Sequence, residues 1–468
     1  MPAGLRFRLD RRSASSLADQ ISHAIRAAIV DGRLGPGARL PSWRDLAAQL
    51  GVARGTVRTA YERLADELLV TASGPGGTHV AERPPRAAAS AVAVVALPLE
   101  PRAPWSTAPP LPFEMGVPAQ DGFPVKLWSR IVARAARADA AAPTRYPDPC
   151  GALELRTQIS GYLALARGIH CVPDQIVITR GYRDGLNLAI RTLRLEGGAA
   201  WMEEPGYFHT RSGLAAAGVQ PVAVRVDDHG LRVQDGIATA PDAALAVVTA
   251  GQQAPLGVTL SFSRRNALLR WAARSGAWII EDDYLSELQL AGRAAPALHG
   301  MDHAGRVIYA GTFSKTLSPA LRLGFLVVPA ALARRFVDVA SCLAPAPNAT
   351  IQLAVAAFLR EGHYLRHLRR MKRLYAARHT ALRSCLAGMA GVEPIAGLAV
   401  MLRLPPGTDD AALATTALAH GLGPASLSEW YATDAARAPG LLLSVTNLVD
   451  SQVRRACDQL KALIARSR

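Results

Sequence analysis

Between Arg83 and Pro112 the chain reads RPPRAAASAVAVVALPLEPRAPWSTAPPLP, and this stretch constrains the fold more than any other. Proline and alanine dominate it and no amphipathic period holds, so neither a helix face nor a half-buried strand can organise a core there. An unpatterned run of roughly thirty residues is uncommon inside a compact domain and marks a linker. The sequence therefore predicts two separately folding parts, 1–82 and 113–468, joined by 83–112. The most apolar part of the linker, AAASAVAVVALPL at 87–99, is too short for a membrane span and is broken by Pro98, so no membrane association is expected.

Half of the 468 residues are hydrophobic, enough for a sizeable core in the larger part. Five scattered cysteines without a C-x-x-C pair argue against a disulfide framework or a zinc site and fit a reducing cytoplasm. The histidines show no metal-ligand spacing, so no metal is expected. The opening MPAGLRFRLDRRSASSLADQ has no apolar core of a signal peptide, and a cytoplasmic location is the expectation. A net charge of +16 suits an anionic partner such as nucleic acid, although an arginine-rich genome would give the same excess. Residues 1–82 carry 11 Arg against 8 acids, 11 − 8 = +3, so a nucleic-acid argument has to rest on pattern rather than on charge.

That pattern is in the first part. SLADQISHAIRAAIVDGRL places Leu17, Ile21, Ala24, Ile25, Ala28 and Ile29 at helical spacing, ended by Gly32 and the GPG at 35–37. A second helix is predicted from about Ser42 to Leu50, with Ser42 as N-cap and Asp45 three residues on. Gly51 makes a tight turn into a third helix from about Arg54 to Ala65, whose Val57, Ala60, Tyr61 and Leu64 share one side. Two helices joined this closely form a helix-turn-helix, and VTASGPGGTHVAE reads as strand, glycine turn, strand: a wing. The polar face of the third helix offers Arg54, Thr56 and Arg58, with Arg44 at the start of the helix before it. Arginine pairs bidentately with guanine or phosphate. The string LPS-x-R-x-LA-x-x-LGV-x-R-x-TV-x-x-AY-x-x-L resembles the winged helix-turn-helix of GntR-type transcription regulators. The resemblance implies that Arg44, Arg54 and Arg58 contact double-stranded operator DNA and that the wing tip, Gly76 and Gly77, reaches the minor groove. Two departures stand out. Ala53 replaces the usual capping Ser or Thr, a loss of about 1 kcal/mol, and Gly55 is unfavourable in a first turn. They predict weaker DNA binding, or a helix that orders only on the operator.

From about residue 113 the pattern changes. Apolar runs at 175–179, 199–204, 221–226, 244–250, 277–283, 306–312 and 323–328 alternate with helical stretches, which predicts an α/β fold with a largely parallel sheet. Ligands of such sheets bind at the carboxyl ends of the strands. Tyr207, Asp282, Tyr284, Ser314 and Lys315 fall there. Lys315 is conspicuous because the chain has 53 Lys plus Arg but only four lysines: Lys126, Lys315, Lys372 and Lys461. A lysine beside Thr312 and Ser314, seven residues before Arg322, is placed like a Schiff-base lysine next to a phosphate cradle. Asp282 would pair with a protonated pyridine nitrogen, and the helix opening at Gly181 would present N–H groups to the phosphate. Pyridoxal 5′-phosphate (PLP) needs this set.

The strings YPDPCGALELR, EEPGY, IIEDDYLSE, YAGTFSKTLSPALRLGF and EGHYLRHLRRMKRLYAAR make residues 113–468 resemble a fold-type-I, class I aminotransferase-like domain. Behind a GntR-type reader the whole resembles the MocR/GabR regulators. The implied architecture is multidomain: an all-α winged helix-turn-helix, then an α/β aminotransferase-like domain with a smaller C-terminal α/β subdomain, mainly 341–468. The resemblance implies that Lys315 forms the internal aldimine, Asp282 pairs with the pyridine nitrogen, Tyr284 bonds the ring hydroxyl and Tyr207 stacks on the ring. Ser314, Arg322 and the Gly181–Tyr182 turn would bind the phosphate. Tyr146 would reach a partner's phosphate across a homodimer. The implied function is a transcription regulator answering a small amine, an amino acid or PLP itself. The alternative is an active PLP-dependent aminotransferase with an accessory DNA-binding domain.

Three departures bear on that choice. In AGQQAPLG, residues 250–257, Gln252 stands where the family has His, and Ala254 where aminotransferases carry a ring-contacting Asn. RGYR at 180–183 adds Arg180 and Arg183, which could meet an acidic ligand or solvent. In LLLSVTNL, Asn447 lies about where aminotransferases place an Arg for the substrate carboxylate. Losing that charge-assisted pair costs roughly 1.5–3 kcal/mol, so little transaminase turnover is expected. The basic stretch 361–386 is read as the long helix entering the small subdomain, with a solvated face.

Overall fold

A computed structural model of the protein describes residues 7, 9–11, 13, 15–72, 77–81, 108–290, 294–343, 346–395, 397–433 and 437–466. The chain divides into two compact units, 1–102 and 103–468. Most of the expected linker and Gly76 lie outside the described residues.

The first unit is built from α1 (Leu17–Val30), α2 (Trp43–Leu50), α3 (Arg54–Asp66) and the antiparallel pair β1 (Val70–Ala72) and β2 (Thr78–Val80). The Ser42 hydroxyl accepts from the Asp45 N–H at 3.1 Å, so the expected cap is made. Gly51 ends α2 in the left-handed region, φ +62°, where a side chain would be strained. Ala53 offers α3 no side-chain cap. The helix forms regardless because Val57, Ala60 and Leu64 are fully buried against Ile21, Ile25 and Leu46. Burial of an apolar face outweighs one missing cap.

The second unit centres on an eight-stranded sheet. Its strands are β3 (Ile176–Thr179), β4 (Ala199–Glu204), β5 (Gln220–Asp227), β6 (Gly230–Leu231), β7 (Leu245–Val248), β8 (Trp278–Asp283), β9 (Val307–Thr312) and β10 (Gly324–Val327). The order is β3-β10-β9-β8-β7-β4-β5-β6. The five strands from β9 to β5 are parallel, while β10 runs antiparallel between β3 and β9. On one face α6 (Tyr182–Leu193), α7 (Phe208–Ala216) and α10 (Ala333–Leu343) cover Val247, Ile280 and Ile308. On the other, α8 (Val233–Thr239) and α9 (Phe262–Ser275) cover Trp201, Val248 and Ile279, while α4 (Val125–Ala140), α5 (Leu153–Arg167) and α11 (Ala349–Arg360) pack with Ile178, Tyr309 and Phe325. The carboxyl ends of β4, β7, β8 and β9 therefore open side by side.

A smaller antiparallel sheet comprises β11 (Val392–Pro394), β12 (Ala399–Arg403), β13 (Ala425–Ser426) and β14 (Gly440–Ser444), in the order β11-β12-β14-β13. It packs with α12 (His363–Cys385), α13 (Asp410–Ala419) and α14 (Val453–Arg466). The long helix α12 turns Tyr364, Leu368, Met371, Tyr375 and Leu382 inward and leaves Arg366, Arg369, Arg370 and Arg373 exposed. One connection departs from linear order. The Ser444 N–H at the end of β14 donates to the Phe113 carbonyl at 3.0 Å, so the first described residues of this unit are anchored to its small sheet.

Candidate functional site

A cavity of about 520 Å³ opens where the main sheet faces the small one. It is lined from β9 and its following loop by Thr312, Ser314, Lys315 and Arg322, and from β8 by Asp282 and Tyr284. Gly181, Tyr182 and Arg183 at the start of α6, Tyr207 after β4, and Thr249 and Ala254 after β7 complete this side. The small sheet contributes Ile395, Leu398, Ala399, Ala425, Ser444 and Thr446. Met115–Pro118 close a further wall. Every residue expected around the ring and phosphate is thus brought together, apart from Tyr146.

Lys315 is half-buried, and its Nζ donates to the Gly116 carbonyl at 2.9 Å. Gly116 has φ +85°, a backbone conformation that favours glycine, and a Cβ there would stand 3.0 Å from Nζ. Burial pushes the Lys315 amine below the usual lysine range, against the pull of Asp282. Asp282 is buried and, among the described residues, has no hydrogen-bond or ion-pair partner. Burial first, then the Asp283 and Glu203 carboxylates, raise it to about 8, while Lys315 lowers it. Burial also raises the phenols of Tyr284 and Tyr182.

The opposite end of the cavity gathers donors. The Thr312 hydroxyl donates to Ser314 Oγ at 3.0 Å and accepts from the Ser314 N–H at 3.2 Å. Gly181 caps α6 with φ +99°. A Cβ on Gly181 would lie 3.8 Å from the Arg322 guanidinium, so that cation stands over the helix start. Arg322 has no carboxylate partner among the described residues. Free N–H groups, two hydroxyls and a guanidinium form an anion cradle. Tyr207 lies with its ring 5.9 Å from Trp430 and 6.4 Å from Tyr182.

Several expectations need correction or refinement. Asn447 does not line the cavity: its amide donates to the Val117 carbonyl at 3.1 Å and the Thr446 hydroxyl at 3.2 Å. The end of β14 reaches the cavity through Ser444 and Thr446 instead. Arg180 is bound to Asp184 at 3.1 Å, one helical turn away, whereas Arg183 does line the cavity. Tyr146 is fully exposed, with a relative accessibility of 102%. The Met115–Pro118 wall and Glu203 were not singled out from sequence. The only signal for them was Glu203 within the EEPGY string and a glycine shortly after the linker.

In the first unit Arg44, Arg54 and Arg58 are exposed and Thr56 is half-buried on the same side. Arg58 pairs with Glu62 at 3.3 Å, and the Arg44 guanidinium lies 4.9 Å from the Trp43 ring centre. Gly77 has φ +95°, and a Cβ there would meet the Arg39 guanidinium at 3.2 Å. Arg39 also bridges to His79 of β2, which puts an additional exposed cation beside the wing that the sequence reading passed over.

Comparison with known proteins agrees with this division. Residues 17–80 match the family of bacterial regulatory proteins of the gntR type, and residues 116–426 match aminotransferase class I and II. The chain is 37% identical over 439 residues to the probable rhizopine catabolism regulatory protein MocR of Rhizobium meliloti, covering 90% of this chain and 89% of that protein. It is 33% identical over 444 residues to the pyridoxine biosynthesis transcriptional regulator PdxR of Corynebacterium glutamicum, covering 92% of each. Among solved structures, an archaeal alanine:glyoxylate aminotransferase superposes with a TM-score of 0.70 at 24% identity, over 77% of this chain and 92% of that one. That likeness gives the fold. Together with a gntR-type reader and an aminotransferase-class sheet in one chain, these relatives place the protein in the MocR-type family of helix-turn-helix transcriptional regulators.

Proposed function

We propose that this regulator binds PLP in the 520 Å³ cavity and adjusts its hold on operator DNA when a small amine, an amino acid or further PLP enters. The observation that carries this reading is the placement of a depressed, half-buried Lys315 amine and a buried Asp282 carboxyl, without a hydrogen-bond partner among the described residues, in one cavity. Both groups fit PLP: an amine for its aldehyde and an acid for its ring nitrogen. The Gly181–Arg322–Ser314 cradle suits its phosphate, and Tyr207, which lines the cavity, would stack on its ring. Tyr284, at the end of β8, is the donor for the ring hydroxyl.

When bound, PLP supplies an aldehyde that exchanges between amines. Lys315 contributes an amine whose burial favours the neutral, nucleophilic form, against the pull of Asp282. Asp282 holds or releases a proton at the ring nitrogen. The lobe carrying Ile395, Leu398 and Ala399 supplies an apolar wall that excludes water. An effector that contacts both this wall and the main sheet favours one arrangement of the two sheets over another, which is the differential affinity that a switch requires. The reading includes a cytoplasmic homodimer in which Tyr146, exposed here, reaches the partner's cradle. It also includes Arg44, Arg54, Thr56, Arg58 and Gly77 as the DNA-contacting set.

The test is an absorbance spectrum of the purified protein with PLP, repeated with Lys315→Ala and then with a panel of amines and amino acids. A visible band that needs Lys315 and shifts with one compound supports the sensor and names a candidate effector. Full conversion to the amine form of the cofactor would favour the aminotransferase alternative. Absence of any band would leave the domain as a dimerisation module.

A further inference from the structure

Glu203 and Asp282 come from the carboxyl ends of β4 and β8, with β7 and the following Thr249 between them. Both line a second, small cavity of about 10 Å³, together with Thr249, Tyr207 and Thr210. That volume holds about one water. The two carboxyls are held differently. Glu203 accepts the Thr249 N–H at 3.1 Å, the Thr249 O–H at 2.5 Å and the Gln253 amide at 3.5 Å. Gln253 is itself tied to the Pro205 and Ala254 carbonyls at 2.7 Å each, so the anchor is rigid. Asp282 has no such donors among the described residues.

Two carboxyls in one low-dielectric pocket resist ionising together, and donors decide which ionises first. The donors are on Glu203. Burial lifts Glu203 only to about 7 against the pull of Thr249 and Gln253, and lifts Asp282 to about 8. The other charged or titratable groups facing Asp282 are Asp283 beside it, Lys315 from the loop after β9, Tyr284 and Tyr182. Lys315 is the one cation in that set, and it opposes the two carboxylates.

We infer that Glu203 is a positioning residue for the ring-nitrogen end of the cavity: an anchored carboxylate that keeps one proton shared between Asp282 and a basic ring nitrogen. With such a ring bound, Asp282 would pass its Oδ proton to the nitrogen, the O–H bond breaking as the N–H bond forms, so that a neutral acid and neutral ring become a carboxylate and a ring cation. An ionised Glu203 would favour that cation through the small cavity it shares with Asp282. The inference rests on the reading that the large cavity takes PLP.

The experiment compares two ligands on the full-length apo protein: PLP, and its analogue with a carbon in place of the ring nitrogen. Binding is followed by tryptophan fluorescence, since Trp430 lines the cavity. The ratio of the two dissociation constants is the readout. Glu203→Gln is expected to shrink the preference for PLP about tenfold, the equivalent of one pK unit, and Glu203→Asp to retain most of it. Thr249→Val removes the hydroxyl donor and should shrink it in the same direction, which covers the case in which Glu203→Gln does not fold. An unchanged ratio in these variants, including equal weakening of both ligands, means that Glu203 only packs and overturns the inference alone. Failure of the wild-type protein to bind either ligand overturns the PLP reading and this inference with it.

Discussion

The reader and the aminotransferase-like unit use charged side chains in opposite ways. In the first unit Arg54 and Arg58 project from α3 into solvent, with at most an i, i+4 partner in Glu62. In the second, Asp282, Glu203, Glu281 and Glu287 are withdrawn from water, and burial raises each carboxyl to about 7 or 8. Exposed cations attract a polyanion through a screened, long-range field, so their work is set by salt. Buried acids and amines act through desolvation and a few directed bonds, so their work is set by pH and by the shape of the ligand. The difference follows from supporting architecture: three short helices have room to bury only an apolar stripe, whereas the eight-stranded sheet can enclose the ends of four parallel strands.

The sharpest way to break the comparison is at Lys315. Lys315→Ala is expected to abolish the visible PLP band and every amine-induced spectral change while leaving salt-dependent DNA binding of the effector-free protein within a few-fold, as read by gel shift and absorbance on the same preparation. A large loss of effector-free DNA binding would show that the two ends are not separable.

Next in size is the reader. Arg54→Ala or Arg58→Ala should cost about 1–3 kcal/mol of operator affinity if the arginine reads a base, and should lower the salt slope by about one if it meets phosphate. Neither should move PLP affinity. Anisotropy titrations at several salt concentrations distinguish these outcomes.

The third prediction concerns pH. An acid whose folded pKa lies above its unfolded value binds more protons when folded, so its stabilising effect is complete below the unfolded pKa and is lost as pH rises through the folded one. For Asp282 that window runs from 3.8 up to about 8, and for Glu203 from 4.5 up to about 7. The melting temperature of the second unit's transition should therefore fall as pH rises from about 5 to 8. Asp282→Asn should remove part of the slope and raise the alkaline melting temperature by ~3 °C per kcal/mol recovered. A slope unaffected by Asp282→Asn in calorimetry would contradict the burial argument. The reader's transition should not share that slope.

The smallest effect sharpens the reader's side. Ala53→Ser supplies the cap that α3 lacks and should stabilise the first unit by about 1 kcal/mol, while Ser42→Ala should cost α2 about as much. Thermal melts of the full chain report both on the first unit's transition.

Much of this architecture was legible in the residues. The seven apolar runs correspond to β3, β4, β5, β7, β8, β9 and β10, because β-branched and apolar clusters between helical patterns are local signals. The two- and three-residue strands β6, β11 and β13 left no such signal, having too few positions to set a period, and the five-residue β12 and β14 were not read as strands. At the site, Lys315, Asp282, Tyr284 and Tyr207 were found because each sits just beyond or at a strand end. The direction of the Asn447 side chain was not legible, because counting from a strand gives a position but not where a side chain turns. Its amide turns to the Val117 carbonyl, 330 residues away in sequence. Arg39 was passed over because it lies before the helix-turn-helix and comes beside Gly77 only through pairing with β2.

Spacing within the chain accounts for everything that depends on near neighbours: the caps at Ser42 and Gly51, the apolar faces of α1 and α3, the strand runs, and an amine and an acid at strand ends. The tertiary structure alone decided which distant groups share a space. It brought the Gly116 carbonyl to Lys315, 199 residues on, and set Glu203 and Asp282 around one small cavity. It also inserted β10 between β3 and β9. Local order is encoded by spacing within a few residues, whereas these meetings depend on sheet order and on the packing of two lobes, which no short window of sequence contains.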